Sequence, residues 1–245
     1  MNNDIIEIQN HPNFYLNNIS IDHHYQYKML SEKYIDQVTD LFTRAFCRSE
    51  PMTEYLKMDE KKYRIFAKSV TEKAYDDKLS VIALDGEKVV AIALIEDMAL
   101  PGEIPDFDSK FIYIVSLLEK IGDPLFSNKK FQPNNIAHLF ITAVDDEYRH
   151  QGLSKQVNFR AMDVAAQNGF HFIYSELTNY YNVKGIIPHL NIPTQLIGSC
   201  TYHDFIYKDI KPFADLIGRA DAYLWAITKN PALKYHDATA HEENK

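Results

Sequence analysis

The clearest chemical signal in the sequence lies between residues 136 and 169. An apolar run at 137–144 has the length and the β-branched content of a buried strand. An acidic turn follows, then Arg149 and Gly152, and a helical apolar pattern begins at Leu153. The first N–H groups of a helix have no partner within the helix, and the helix dipole adds positive potential at that end. The segment therefore predicts an anion site that suits a pyrophosphate.

Glu50, far upstream in the chain, is a candidate general base. It lies between the apolar residues Phe46 and Met52, and burial there would raise the pKa of its carboxyl. A carboxylate of raised pKa can take a proton from an alkylammonium group, whose own pKa is about 10. The alternative is that Glu50 and Pro51 only end a helix, with the carboxylate in solvent. Without further information the residues favour this alternative.

Length and composition predict one large domain. The chain has 245 residues, of which 46% are hydrophobic and 24% charged, and this suits a single core better than two small ones. We expect the domain to cover residues 21–230, after an Asn-rich extension at 1–20 and before a flexible tail at 231–245. The two cysteines, Cys47 and Cys200, indicate no disulfide framework and favour a reducing cytoplasm.

Charge and sequence pattern argue against several classes of partner. A net charge of −8 disfavours nucleic acid, which needs a basic surface. No apolar run approaches the roughly 20 residues that span a bilayer, so no membrane partner is expected. The histidines, among them His138, show no metal-ligand spacing, and we expect no metal; a lone strand histidine is usually a core or edge residue with satisfied bonds. The oligomeric state stays open between monomer and homodimer.

The periodicity of apolar residues predicts an α/β domain with a mixed sheet. The turn Asp85-Gly86 indicates a hairpin, which pairs its strands antiparallel, whereas a strand–helix–strand unit is parallel. No glycine fingerprint of a dinucleotide or ATP site is present. The predicted strands are 23–30, 79–84, 89–95, 137–144, 171–177, 194–207 (bent or bulged at Gly198) and 222–228. The predicted helices are 31–46, 59–77, 109–121, 153–168 and a short or distorted one within 178–191.

The segment 144–154 resembles the acetyl-CoA-binding motif of the GNAT N-acetyltransferase superfamily. The family pattern is Gln/Arg-x-x-Gly-x-Gly/Ala between a strand and a helix, and Arg149, Gly152 and Ser154 occupy its three defining positions. Ser154 departs from the usual Gly or Ala and adds a hydroxyl donor. The resemblance covers roughly residues 22–229. It implies the GNAT fold, a mixed and mostly antiparallel twisted sheet with a parallel splayed strand pair and helices on both faces.

A second match narrows the resemblance to one branch of that superfamily. The segment 46–52, Phe-Cys-Arg-Ser-Glu-Pro-Met, is similar to the Phe…Glu-Pro-Leu segment of arylalkylamine and dopamine N-acetyltransferase-like enzymes. In several of these the glutamate is the proposed general base, so the resemblance implies this role for Glu50. Those enzymes also carry serines after the fifth strand, where this chain has Thr178 and Asn182.

The resemblance also implies where acetyl-CoA would bind. A main-chain N–H at Ala143 or Val144 would donate to the thioester oxygen as charge develops on it. Asn179 and Asn182 would hold the pantetheine arm. The pyrophosphate would lie on the amides of His150, Gln151, Gly152, Leu153 and Ser154, with Arg149 adding positive charge.

The CoA thiolate needs a proton as it leaves, because an ordinary thiol has a pKa of about 8.5. Relatives use a tyrosine on the helix after the fifth strand. In this chain the acid position is taken by Ile186 or His189, depending on the alignment, and Tyr180 and Tyr181 come before it. Tyr181 and His189 are therefore the candidate acids, and each also has a structural interpretation.

We therefore expect an acetyl-CoA-dependent N-acetyltransferase that transfers acetyl directly, in a ternary complex, to a primary amine of a small molecule. Two alternatives stay open. One is a GNAT-like domain that binds acyl-CoA as a sensor or interaction module without turnover, which the missing serines motivate. The other is an acetyltransferase that acts on protein or peptide amines.

Overall fold

The computed structural model describes residues 24–105, 107–126, 131–179 and 192–227. The predicted extension at 1–20 and the tail at 231–245 lie outside these ranges. Among the described helices, none is long and apolar enough to cross a membrane. The strands are Gln26–Met29 (β1), Val81–Asp85 (β2), Lys88–Asp97 (β3), Ile136–Val144 (β4), Phe172–Leu177 (β5), Thr194–Thr201 (β6) and Arg219–Ala226 (β7). The α-helices are Ile35–Ser49 (α1), Pro51–Tyr55 (α2), Glu60–Asp77 (α3), Phe111–Phe126 (α4) and Leu153–Gln167 (α5).

One sheet runs through the described part of the chain, in the order β1-β2-β3-β4-β5-β7-β6. Every neighbouring pair is antiparallel except β4 and β5. These two pair in parallel only where Ile136–His138 faces Phe172–Tyr174. Beyond that point residues 139–144 of β4 and 175–177 of β5 diverge, and we call this opening the fork. The predicted mixed sheet with a splayed parallel pair is confirmed.

Helices cover both faces of the sheet, as the resemblance implied. Successive side chains of a strand point to opposite faces. Accordingly Ile82 and Ile92 pack with α1, α3 and α4, whereas Ala83 and Ala91 pack with α5. The first of these two cores contains a group of contacting rings that we call the aromatic cluster. Its members are Phe42, Phe46, Tyr63, Phe66, Phe107 and Phe111.

Several predicted boundaries differ from the observed ones, and the two largest errors, at the ends of α4 and β6, have physical causes. α4 continues past the expected stop near Gly122, because this glycine allows close packing rather than ending the helix: a Cβ there would lie 2.4 Å from the Phe126 ring and 2.7 Å from the hydroxyl of Tyr174 in β5. β6 ends at Thr201 rather than at Tyr207, since the chain turns into a 3-10 helix directly afterwards. The predicted bulge at Gly198 is confirmed by a shift in the register of β6 against β7.

Candidate functional site

A cavity of about 600 Å³ lies between the fork and the helices that cover it. Its walls come from α1 to α4, the loop after β3, and the ends of β4 and β5. Most of the lining is apolar and aromatic. The charged lining residues are the acids Glu50, Asp76, Glu96, Glu103, Glu119 and Glu176 and the bases Lys73 and His138. This excess of carboxylates suits a cationic ligand with an apolar part.

Glu50 lines this cavity at the junction of α1 and α2. It is the N-cap of α2, and its carboxylate accepts the main-chain N–H groups of Met52 at 3.3 Å and Thr53 at 2.7 Å. Pro51 takes the first helical position, where a missing N–H leaves nothing unsatisfied. Only 8% of Glu50 is exposed. The alternative in which this carboxylate points into solvent is therefore wrong.

Burial raises the pKa of the Glu50 carboxyl above its ordinary value, while hydrogen bonds from Thr53 and Thr178, among others, act in the opposite direction. Two buried tyrosines, Tyr63 and Tyr202, lie near this carboxylate. Burial is the larger cause that raises the pKa of both phenols, and the negative charge of Glu50 raises it further. A buried carboxylate of raised pKa in the wall of an acidic cavity has the properties of a general base for an amine.

The segment of residues 149–154, which we call the anion loop, leads into α5. Two of its residues have positive φ, His150 at 62° and Gly152 at 75°. Gly152 is the N-cap of α5, and a Cβ built on it would have no atom within 4 Å. The first-turn N–H groups of α5 have no acceptor inside the helix. The amides predicted to hold pyrophosphate all lie in this loop, at the end of a helix where the dipole favours an anion.

Arg149 is held by protein partners at the start of the anion loop. Its guanidinium pairs with Asp146 at 2.6 Å and donates to the Ser49 hydroxyl at 2.7 Å. Ser49 is the last residue of α1 and directly precedes Glu50. One hydrogen bond thus joins the anion loop to the segment that carries the candidate base, although these residues are 100 positions apart in the sequence.

The end of β4 offers a main-chain donor to the fork. The N–H of Asp145 donates to the carbonyl of Val90 in β3 at 2.9 Å. Successive N–H groups along a strand point to opposite edges, so that of Ala143 also points to β3 and that of Val144 points to the fork. Of the two residues predicted to supply a donor, the geometry favours Val144.

The residues predicted to act beyond β5 are only partly described. Asn179 follows β5 by two positions and is half-buried. Tyr181 and Asn182, predicted as an acid and as a pantetheine contact, lie outside the described residues, and so does His189. The assignment of a general acid therefore stays a prediction.

Our sequence interpretation missed a charged group on the cavity wall, which we call the three-strand cluster: Glu96 of β3, His138 of β4 and Glu176 of β5. The imidazole lies between the two carboxylates, with Nδ1 3.2 Å from Glu96 and Nε2 2.7 Å from Glu176. Each of the three side chains is at most 15% exposed. The histidine that we interpreted as a lone strand residue is the centre of a buried ion group.

His138 is positively charged in this cluster. Burial by itself would lower the pKa of the imidazole, but the charges and hydrogen bonds of Glu176 and Glu96 raise it to about 10. An imidazolium has no free lone pair, so His138 is not available as a base at neutral pH. With both carboxylates ionised, the cluster has one negative charge in excess. The sequence places an ionisable residue in each of β3, β4 and β5, but it does not show that these residues face one another.

Comparisons with known proteins find matches by structure but not by sequence. No protein-family model matches this sequence, and no curated protein matches it. Solved structures do match. The C-terminal condensation domain of Ebony, in complex with β-alanyl-dopamine, aligns with a TM-score of 0.74 and 17% identity, over 82% of this chain and 97% of that one. Arylalkylamine N-acetyltransferase 2 from Aedes aegypti aligns with a TM-score of 0.68 and 17% identity, over 83% of this chain and 99% of that one.

A third solved structure, a mosquito arylalkylamine N-acetyltransferase-like protein 5b, aligns with a TM-score of 0.65 and 19% identity, over 82% of this chain and 98% of that one. All three alignments span nearly the whole of each matched structure. Together with the mixed sheet, its single parallel pair and the fork, they confirm the architecture predicted from the loop motif. The chain has the fold of the GNAT N-acetyltransferases.

Proposed function

We propose that the protein is an acetyl-CoA-dependent N-acetyltransferase whose acceptor is a primary amine of a small cationic molecule. The observation that carries this proposal is the contact from Arg149 to Ser49, next to Glu50. It joins an open anion loop to a buried carboxylate in the wall of an acidic cavity. The matched structures named as arylalkylamine N-acetyltransferases support the same reaction.

The anion loop and the fork support the donor side of the proposal. Pyrophosphate would lie on the amides of residues 150–154, where the α5 dipole and the open space at Gly152 favour an anion. The fork would take the pantetheine arm, with Asn179 and Asn182 as predicted contacts. The N–H of Val144 would donate to the thioester oxygen as negative charge develops there.

Glu50 would prepare the acceptor for attack. An amine enters the acidic cavity as an ammonium ion and becomes a nucleophile only after it loses a proton. Glu50 takes this proton directly or through a water. The nitrogen then bonds to the acetyl carbon and loses its second proton to solvent, the C–S bond breaks, and the sulfur takes up a proton from the predicted acid, Tyr181 or His189, or from solvent. The products are an amide and CoA.

The test of this function is amine-dependent release of CoA by the full-length protein. With acetyl-CoA and a panel of arylalkylamines and alkylamines, we expect free thiol to appear together with an N-acetylated product that mass spectrometry identifies. Binding of acetyl-CoA without release on any amine would contradict turnover and favour the sensor alternative. Release with peptides alone would favour a protein acetyltransferase.

Replacing Arg149 tests the donor site separately. Arg149→Ala removes a cation beside the anion loop, and we expect the Kd for CoA to rise about tenfold, which corresponds to one charge-assisted contact. Asp146→Asn is the matched variant, because it frees Arg149 from its ion pair. CoA should bind this variant at least as tightly as the wild type. Calorimetry measures both constants, and an unchanged Kd in Arg149→Ala would remove this residue from the donor site.

A further inference from the structure

We propose that Asn158 of α5 binds the acyl donor: its side-chain amide donates a hydrogen bond to a carbonyl oxygen of the acyl-pantetheine arm inside the fork. The inference rests on the proposed acetyl transfer, because it adds a contact to the donor side of the same site. It concerns a residue that neither the loop motif nor the catalytic scheme uses, and it assigns that residue a ligand of defined chemistry, an amide or thioester carbonyl.

The cavity reaches both faces of the sheet through the fork. Phe66 and Ile114, which line it, belong to the core that packs with α1, α3 and α4. Leu139 and Leu177 also line it, but they belong to the core that packs with α5. A cavity with walls in both cores passes between the diverging ends of β4 and β5, so a ligand in the fork has α5 on one side and the acidic part of the cavity on the other.

Asn158 lies where the arm would pass. It follows Ser154 by one helical turn, so the two side chains project from the same face of α5, and Asn158 lies about 6 Å further along the helix axis. Its Oδ1 accepts a hydrogen bond from the hydroxyl of Thr142 at 2.7 Å, and Thr142 belongs to the diverging part of β4. Asn158 also lines the cavity. An arm that leaves the anion loop and enters the fork therefore runs alongside this residue.

The amide of Asn158 has an N–H group without an acceptor. Only 2% of the residue is exposed, and its Nδ2 has no hydrogen-bond partner among the described residues. An unpaired buried N–H is unfavourable, so an oxygen that pairs with it stabilises the complex. The terminal torsion of an asparagine is broad, which lets the amide adjust to an oxygen in the fork. Such an amide has the properties of a ligand contact rather than of a packing residue.

Trp225 of β7 independently indicates a ligand that carries acceptors. It lines the same cavity, is 0% exposed, and its indole N–H also has no partner within the described ranges. It pairs with Ile173, in the segment where β4 and β5 are still paired, so it lies at the closed end of the fork. The carboxylates on the other side of the cavity suit an amine, whereas the unpaired N–H groups on the α5 side suit the carbonyl oxygens of pantetheine and its thioester.

The contact is measured by comparing the Kd of CoA with that of phospho-ADP, which is CoA without its pantetheine arm. Asn158→Leu keeps roughly the size of the side chain but has no N–H. We expect it to raise the Kd of CoA about five- to tenfold, the effect of one neutral hydrogen bond, and to leave the Kd of phospho-ADP unchanged. Gln167→Leu makes the same kind of replacement at an exposed position of α5 and should leave both constants within about twofold.

Acetyl-CoA identifies the oxygen that Asn158 binds. If Asn158→Leu raises the Kd of CoA and of acetyl-CoA by the same factor, the acceptor is an amide of pantetheine, whereas a larger rise for acetyl-CoA places it on the thioester. Unchanged constants for both, or an equal rise for phospho-ADP, would overturn the inference and leave Asn158 as a tie between α5 and β4. Selective binding without turnover on any amine would contradict the proposed function alone, and turnover with unchanged constants would contradict this inference alone.

Trp225 supplies a second measurement on the wild-type protein, because it is the single tryptophan of the chain. Its emission, excited where tyrosine does not absorb, should shift or be quenched on saturation with CoA and stay constant with phospho-ADP. If Asn158→Leu does not fold, this comparison decides in its place. Emission that CoA leaves unchanged, or that both ligands change equally, would mean that the arm does not reach the α5 side of the fork, and the inference would be wrong.

Discussion

Glu50→Gln is expected to lower kcat for acetyl transfer about a hundredfold to ten-thousandfold, the range that a positioned general base contributes. The amide keeps the size of the side chain and one acceptor for the N-terminus of α2, but it cannot take a proton. The Kd for acetyl-CoA should not change, because Glu50 lies on the acceptor side. Steady-state kinetics with calorimetry of donor binding separate the two effects. A variant that turns over at the wild-type rate would leave Glu50 with its capping role alone.

The raised pKa of Glu50 adds a dependence on pH to this prediction. A protonated carboxyl cannot act as base, so wild-type activity should fall as pH drops through a pKa above the ordinary carboxyl value. This limb should be absent in Glu50→Gln. A raised pKa also means that protonation favours the folded state, with a contribution that is present below the unfolded pKa and lost as pH rises through the folded one. The neutral glutamine should therefore melt no lower than the wild type at neutral pH.

Glu54→Gln is the matched control for Glu50→Gln. Glu54 belongs to the same short helix, α2, but is exposed and does not line the cavity. Its replacement should leave kcat within about twofold of the wild-type value, since surface substitutions away from specific contacts change little. A comparable loss of rate in both variants would assign the effect to α2 as a whole rather than to the carboxylate of Glu50.

Phe42→Ala is expected to lower the free energy of unfolding by about 3–5 kcal/mol, the usual effect of truncating a buried phenylalanine. Phe42 is 0% exposed. Its ring lies 4.7 Å from that of Phe46 and 5.9 Å from those of Tyr63 and Phe66, so its removal leaves a void at the centre of the aromatic cluster. Total stability of a domain is about 5–15 kcal/mol, so this loss is a large part of it. Urea unfolding measures it.

Ile65→Ala provides the comparison for Phe42→Ala. Ile65 lies on α3 beside the aromatic cluster, but its side chain points outward and 57% of the residue is exposed. We expect its replacement to change the free energy of unfolding by at most about 0.5 kcal/mol. A loss below about 1 kcal/mol in Phe42→Ala would mean that the neighbouring rings close the void, and the cluster would then be more plastic than its geometry indicates.

The features predicted well from the sequence are those whose physical cause is local. Asp85-Gly86 predicted the hairpin of β2 and β3, and Gly86 has the positive φ, 58°, that such a turn requires. Asp59, at the start of the predicted second helix, caps α3 by accepting the N–H of Lys62. Gly152, which the motif pattern singled out, has a positive φ of 75° that residues with a Cβ rarely adopt. Each of these effects acts within a few residues.

The features that could not be predicted depend on register between strands. His138 is 42 residues from Glu96 and 38 from Glu176, and Glu96 lies just beyond the predicted end of its strand. Only the pairing of β3, β4 and β5 brings them together. Gly122 shows the same limit. From the local sequence, a glycine at the end of an apolar helical pattern predicts a helix stop, but here it allows a close approach to Tyr174 across the core.

The fork between β4 and β5 also bears on self-association. An unpaired strand edge normally serves as a template on which another chain adds a strand, and proteins blunt such edges with charge, proline or a covering element. The unpaired edge of β4 instead faces inward, because β5 continues beside it and is itself paired with β7. Neighbouring strands in a sheet need about 4.8 Å each, so a foreign polypeptide has no room at the base of the fork. Hydrogen-bonding groups that elsewhere would promote aggregation thus face the interior of the fork instead of a neighbouring molecule.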